Sequence, residues 1–439
     1  MSALERGALQ VARRLRASGY QALYAGGCAR DTLLGKTPSD IDIATDATPE
    51  RVRELFDRTV AVGAHFGVII VLQGAESYEV ATFRSDGRYG DGRRPETVSF
   101  SDARNDALRR DFTVNGLFLD PETREVTDYV GGRVDLEAKI LRAIGDPATR
   151  FSEDRLRLLR GVRLAASLGF VIEERTWEAL RAAAPAIREV STERIRDELT
   201  KIFTAPTRAR GLDLLDESGL LEILLPDIAA LKGCEQPPEF HPEGDVFQHT
   251  RLMLDLLDKS ASPALAFATL LHDVGKPACA FRDPDGRIRF NGHEHMGADM
   301  AERILRGLRF SNETIRAVVE MVRHHMAFKD TPQMRVSRLR RFMARETFPE
   351  ELELHRVDCL GSHAQLDIHR FLLAKQKEFA NEPVIPPRLV RGDDLIARGW
   401  QPGPRFREIL DAIQTRQLEG ELKTREEALA WLEANYPQH

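Results

Sequence analysis

Cysteine is scarce: the 439 residues hold four, Cys28, Cys234, Cys279 and Cys359. No two of them form a CxxC pair, which excludes a zinc knuckle and a disulfide framework and leaves reduced, structural thiols. Long apolar runs are missing as well. The longest, such as residues 68–72, fall far short of the ~20 residues that a membrane-spanning helix needs. A basic excess is also absent, since 63 Lys and Arg stand against 69 Asp and Glu, a net charge of −6. Any nucleic-acid contact must therefore come from local clusters rather than from the overall field. Residues 3–20 alternate Leu, Val and Ala with Arg and include Glu5, so they read as an amphipathic helix and not a signal peptide. A cytoplasmic location is expected. No internal repeat or low-complexity tract occurs.

What is present is a soluble composition, 42% hydrophobic and 30% charged, in a chain longer than one core usually serves. Residues 22–24, 41–44, 67–72 and 78–83 read as strands punctuated by glycine, and the first third is an α/β head. After about Ile140 the pattern turns helical, with 3.6-residue periodicity over 154–168, 192–203 and 209–224, and strand signals almost vanish. The fold class expected is α+β. Proline-bearing breaks at Pro237–Pro238 and residues 382–387 read as module joints. Residues 84–99, rich in Gly, Arg and Asp, read as a mobile loop or a solvated hairpin tip.

The richest stretch runs from Tyr24 through Gly26, Gly27, Arg30 and Asp31 to Ser39-Asp-Ile-Asp-Ile-Ala44. Side chains alternate along a strand, so Asp40 and Asp42 project together while Ile41 and Ile43 point to the core. Two carboxylates on one face suit Mg²⁺, which serves in-line displacement at a triphosphate. Gly26 and Gly27 allow close backbone approach, and the next helix offers N-terminal amides and Arg30 to phosphate oxygens. An isolated Asp-x-Asp also fits a surface strand or turn, and it is the neighbouring Gly-Gly turn that points to chemistry.

Further along come Glu79-Val-Ala-Thr-Phe-Arg84, Arg109-Arg-Asp-Phe-Thr-Val-Asn115 and Glu153-Asp-Arg-Leu-Arg157. In this order the segments resemble the class II tRNA nucleotidyltransferase and bacterial poly(A) polymerase family, across essentially the whole chain. The resemblance implies a DNA polymerase beta-like catalytic head over 1–140 and a base-selecting, RNA-binding neck over 141–205. It further implies a helical body over 206–385 and a tRNA-gripping tail over 386–439. It implies CTP and ATP as donors, the tRNA 3′ end as acceptor, and Arg110, Asp111 and Asn115 at the ribose and triphosphate. Gly116 departs from the family's usual Ala after that Asn. In CCA-adding members a flexible loop at the position of 84–99 helps switch from C to A addition. Residues 62–71 resemble the CCA-adding version more than the basic counterpart of bacterial poly(A) polymerases. Glu79 is either a third metal carboxylate or a structural acid at a strand end.

Asp154, Arg157, Arg160 and Arg163 are spaced to form one polar stripe on a predicted helix. Asp154 can accept from the exocyclic amine of cytosine or adenine while Arg157 donates to cytosine N3 and O2 or adenine N1. Uracil and guanine would leave buried groups unpaired, at about 1–3 kcal/mol each. The spacing of the arginines alone also fits a solvated helix face.

In the body, His249, His272-Asp273, His293, His325 and Asp358 resemble the ligands of an HD-type phosphohydrolase domain, with a second divalent metal of unspecified identity. His295 and His324 are alternatives to His293 and His325. The tail from Leu389 to Leu429 resembles tRNA-gripping helices, and a surface helical hairpin is the plain alternative. Competing readings are an A-adding enzyme, a poly(A) polymerase, or an HD phosphohydrolase or RNA-binding scaffold with an inactive head. Oligomeric state is left open.

Overall fold

The computed structural model describes residues 2–61, 67–87, 97–380 and 383–437. Most of the 84–99 loop, the first half of the 62–71 segment and the start of the 382–387 joint therefore lie outside the described residues. The chain divides into two compact units, Met1–Ala229 and Ala230–His439.

The first unit is built on strands β1 (Ala22–Ala25), β2 (Asp42–Thr45), β3 (Thr59–Val60), β4 (Val68–Gln73) and β5 (Glu76–Thr82), followed by β6 (Arg84–Asp86), β7 (Val98–Phe100), β8 (Leu117–Leu119) and β9 (Val126–Asp128). Seven of them form one sheet in the order β3-β4-β5-β2-β1-β8-β9, and β6 and β7 pair separately. β2 lies antiparallel to β1, with Ala25 opposite Asp42, and parallel to β5, with Ile43 opposite Val80. That register sets the Asp42 end of β2 beside the Glu79 position of β5. Phe83, Phe118, Ala25 and Ala44 share a core with Ala103 and Ala107 of the helix Ala103–Leu108, which leads directly into Arg109 and Arg110.

Three expectations change. Asp40 and Ile41 precede β2, so Asp40 stands on the exposed turn ahead of the strand. The helix expected from 154 begins at Arg157. Asp146 caps a short helix, Pro147–Glu153, and Asp154 then takes extended φ/ψ (−143°, 105°) before the helix Arg157–Leu168 starts. The stripe is thus broken at its first member, because the chain must turn between the two helices. The run 209–224 is likewise two helices, Arg208–Glu217 and Leu220–Leu224, parted by Gly219 at φ 80°. A left-handed residue ends the first helix at the position where glycine carries no Cβ penalty. Short two-residue strand pairings also persist beyond Ile140, at 140–141 with 171–172 and at 281–282 with 288–289.

The second unit is almost wholly helical. The helices Val246–Leu256, His293–Gly307 and Phe348–Gly361 carry His249, His293 and Asp358, whereas His272-Asp273 and His325 stand just past the ends of the α-helices Pro263–Leu271 and Asn312–His324 and not within an α-helix as expected. Phe328, Phe342, Phe348, Leu352 and Phe379 form one apolar cluster within it, and Val390, Leu395, Ile409, Ile413 and Leu432 a separate one. Among the described residues no helix is long and apolar enough to cross a membrane.

Candidate active site

A cavity of 640 Å³ in the first unit gathers Asp40, Asp42, Glu79, Gly26, Gly27, Arg30, Arg110, Asp111, Asn115, Asp154, Arg157, Arg160 and Arg163. Every head and neck residue singled out in the sequence reaches one space, although they span more than 130 positions. Asp31 and Arg109, which stand in the motifs but were given no role there, line it too, as do Asp86 and Arg194, which the sequence reading had not singled out.

The acidic wall is crowded. Burial, then the charges of Glu79 and Asp40, push the Asp42 carboxyl up to about 6. Carboxylates held together in this way are relieved by a cation between them, so the donors present fit a divalent metal.

Opposite stands a preset guanidinium network. Arg30 donates to Asp31 at 2.8 and 3.0 Å and to Asn115 Oδ1 at 2.6 Å. Asn115 Nδ2 donates to Asp111 Oδ1 at 3.0 Å, and Asp111 Oδ2 accepts from Arg160 at 2.8 and 2.6 Å. Burial works against the Asp111 carboxylate, but Arg160 and Asn115 hold it well below the usual carboxylate range. Asp106, only 1% exposed, clamps both arginines of the Arg-Arg motif. It accepts from Arg109 Nε at 2.9 Å and from Arg110 Nε and NH2 at 3.1 and 2.9 Å. It stands three and four residues before them on the helix that ends just ahead of Arg109, a spacing readable in the sequence. Gly26 has φ 69° and ψ −128°, and a Cβ there would stand 3.0 Å from Arg110 NH1. The positive φ is what favours glycine in this turn.

On the neck side, Asp154 accepts from Leu156 N and, at 2.8 Å, from Arg194 of the helix Thr192–Thr204. Arg157 is buried and donates NH1 to Arg150 O and Glu153, and NH2 to Arg109 O at 3.0 Å. Its Nε–H takes no partner among the described residues. Arg163 pairs with Glu198 at 2.7 Å.

The second unit holds a separate cluster, centred on Asp273. Asp273 Oδ1 lies 3.4 Å from His293 Nε2 and 3.8 Å from His325 Nε2, which are 3.1 Å from each other. These edges bracket the ~3.4 Å ligand separation of a tetrahedral ion with bonds of about 2.1 Å. Asp273 Oδ2 lies 3.0 Å from His272 Nε2 and 4.0 Å from His249 Nε2, and Asp358 Oδ1 is 3.2 Å from the latter. The Nε2 atoms of His249 and His272 are buried without a hydrogen-bond partner. Orphaned ring nitrogens facing carboxylates fit a metal. Lys276 Nζ also approaches Asp273 Oδ2, at 2.7 Å, and donates to Gln236 at 2.6 Å. His295 is exposed and His324 half-buried, and neither belongs to these contacts. Gly275 follows from packing: a Cβ there would meet His293 O at 2.4 Å and Gly297 N at 2.6 Å. Glu243 and His241, which hydrogen-bond at the edge of this cluster, had no part in the sequence reading.

Sheet and cavity together define a nucleotidyltransferase head of the DNA polymerase beta type. Residues 22–142 match the Poly A polymerase head domain, 169–232 the polymerase A model for an RNA and SrmB binding site, and 294–432 a tRNA nucleotidyltransferase domain 2. The CCA-adding enzyme of Streptococcus gordonii is 45% identical over 222 residues, 50% of this chain and 55% of that protein. That of Streptococcus mutans is 44% identical over 218 residues, 49% and 54% of the two chains. The chain thus spans about half the length of the curated relatives it matches. The crystal structure of the Bacillus stearothermophilus CCA-adding enzyme in complex with CTP superposes with a TM-score of 0.77 at 27% identity, covering 99% of this chain and 98% of that one. The Thermotoga maritima CCA-adding enzyme complexed with tRNA shares the fold, with a TM-score of 0.59 at 17% identity over 97% and 94%. The chain is thus similar to tRNA nucleotidyltransferases and poly(A) polymerases in three successive stretches, and it shares the fold of CCA-adding enzymes.

Proposed function

We propose that this protein adds C, C and A from CTP and ATP to the tRNA 3′ end without a nucleic-acid template, releasing pyrophosphate. The observation that carries the reading is the single cavity in which Asp40, Asp42 and Glu79 face Asp154 and Arg157. Likeness to CCA-adding enzymes over both sequence and fold supports it. In this reading residues 1–140 are the catalytic head and 141–205 the neck, with 206–385 the helical body and 386–439 the tRNA-binding tail.

Asp40 and Asp42, with Glu79 as third carboxylate, are the residues that would hold Mg²⁺. The metal, when bound, supplies activation of the attacking 3′-hydroxyl and charge stabilisation at the triphosphate. Gly26 and Gly27 let the triphosphate approach the backbone, and Arg30 and Arg110 face it from positions already fixed by Asp31, Asn115 and Asp106. Asn115 and Asp111 join the phosphate side to the ribose side. Arg157 has NH1 committed to the protein, which leaves its Nε–H and one N–H of NH2 as a two-donor edge. That edge matches N3 and O2 of cytosine, and Asp154, anchored by Arg194, keeps lone pairs for an exocyclic amine. The protein surface thereby stands in for a template.

The test is extension of tRNA lacking its terminal CCA, with Mg²⁺ and all four nucleotides. Addition of C, C and A followed by arrest is expected. Long A tracts on unrelated RNA would identify a poly(A) polymerase, and A added only to tRNA ending in CC an A-adding enzyme.

A second reading concerns the second unit. Asp273 presents one oxygen to His293 and His325 and the other to His249 and His272, an arrangement suited to two divalent ions and to HD-type hydrolysis of a phosphate ester. Release of phosphate from a model ester, lost on Asp273→Ala, would support it. A metal-loaded protein inert toward phosphate esters would count against it.

A further inference from the structure

The four imidazoles of the second-unit cluster are not held alike. Three donate Nδ1–H to the carbonyl three residues back on their own segment: His272 to Thr269 O at 2.9 Å, His293 to Phe290 O at 2.8 Å and His325 to Val322 O at 2.6 Å. His249 instead reaches Glu243 Oε1 at 2.7 Å, with Gly361 O further off at 3.4 Å. Among the four it alone has a carboxylate within hydrogen-bond distance of Nδ1, since Glu294 Oε2 stands 3.6 Å from His293 Nδ1.

Glu243 is itself fixed. The same Oε1 accepts from His241 Nδ1 at 2.9 Å, and its Oε2 is buried without a hydrogen-bond partner. Burial opposes its charge, but His249 and His241 hold the carboxyl below its ordinary range. An ion shared by His241, Glu243 and His249 does not fit these distances: 2.7 and 2.9 Å are hydrogen-bond separations, shorter than the ~3.4 Å between ligands of a tetrahedral metal. The open nitrogen of His249 is therefore Nε2, which faces Asp358 and Asp273.

A carboxylate hydrogen-bonded to the far nitrogen of a ligating histidine fixes its tautomer and ring angle and makes it a stronger donor than a neutral carbonyl does. We propose that Glu243 is a positioning residue that makes the His249–His272–Asp358 corner the tighter of two metal positions flanking Asp273. The His293–His325 corner, whose Nδ1 hydrogen bonds go to carbonyls, is the weaker. This rests on the reading of the cluster as a metal centre.

The experiment is calorimetric titration of the full chain with Mn²⁺ after chelation, on an Asp42→Ala background so that the head does not contribute. Two classes of uptake are expected. Glu243→Ala should weaken the tighter class about 10- to 100-fold and spare the weaker. Glu243→Gln, close to isosteric and uncharged, should fall between and reports on the charge should the Ala variant fail to fold. His325→Ala should remove the weaker class only. Unchanged titration of both Glu243 variants, or equal loss from both classes, would overturn the proposal while leaving the metal centre standing. A parent protein that takes up no Mn²⁺ at the cluster would overturn the metal centre and the proposal together. Thermal melts of the metal-free variants separate a local effect from unfolding.

Discussion

Asp111 accepts two hydrogen bonds from Arg160, 49 residues later in the chain, at 2.8 and 2.6 Å. The pair fastens the Arg-Arg-Asp segment of the head to the first turn of the neck helix. Asp111 is buried, and its ionised form depends on Arg160 and Asn115. Removing the charge with Asp111→Asn should cost about 1–3 kcal/mol. The folded carboxyl lies below its unfolded value, so the stabilisation is present above the ordinary carboxylate range, near ~3.9, and is lost as pH falls through the depressed value. Denaturation midpoints of parent and variant should differ by a constant amount from about pH 5 to 8, and the gap should shrink progressively as pH falls below about 4. A gap that stays the same from about pH 5 down to about pH 2 would show that charge is not its origin.

Asp42→Ala should abolish nucleotide transfer and leave metal uptake at the Asp273 cluster intact, because no Asp273 contact involves the head carboxylates. Transfer assays and Mn²⁺ binding on one preparation check this. Loss of both in a folded variant would contradict two independent sites.

Asp154→Ala and Arg157→Ala should relax nucleotide choice. Each mismatch now excluded by an unpaired buried group is worth about 1–3 kcal/mol, so UTP or GTP incorporation relative to CTP should rise about 5- to 150-fold. Arg194→Ala should move selectivity the same way by a smaller factor, since it acts through Asp154. Retained exclusion of UTP and GTP in all three would remove the base-reading role.

Asp106→Asn keeps the shape of the clamp and removes its charge from beneath Arg109 and Arg110. The expected outcome is a rise of about 5- to 30-fold in KM for CTP and ATP, equivalent to 1–2 kcal/mol. The ratio of the two nucleotides should not change, because Asp106 does not face the base. A shift in that ratio would place Asp106 in base selection instead.

Several of these residues were legible in the primary structure because their chemistry sits in short, local patterns. Asp40 and Asp42 follow a Gly-Gly turn, Asp154 and Arg157 are three apart, and His272-Asp273 follow an apolar run just ahead of Gly275 and Lys276. Periodicity also separated the α/β head from the helical remainder. It failed at Asp154 and Gly219, where one φ/ψ choice ends a helix that the apolar pattern would continue. It passed over β3, β8 and β9 as well, two or three residues each, whose pairing comes from the neighbouring strands.

By itself, then, the sequence determined the class of chemistry: carboxylates for a metal, guanidinium groups for phosphate and base, histidines for a second centre. Only the tertiary structure decided which partners those groups take. Arg194 behind Asp154 and the pairing of Arg160 with Asp111, 40 and 49 residues apart, carry no motif of their own. A supporting carboxylate or guanidinium is chosen by distance and burial. Those are set by how β2 meets β5 and how helices distant in sequence pack, which no local pattern encodes.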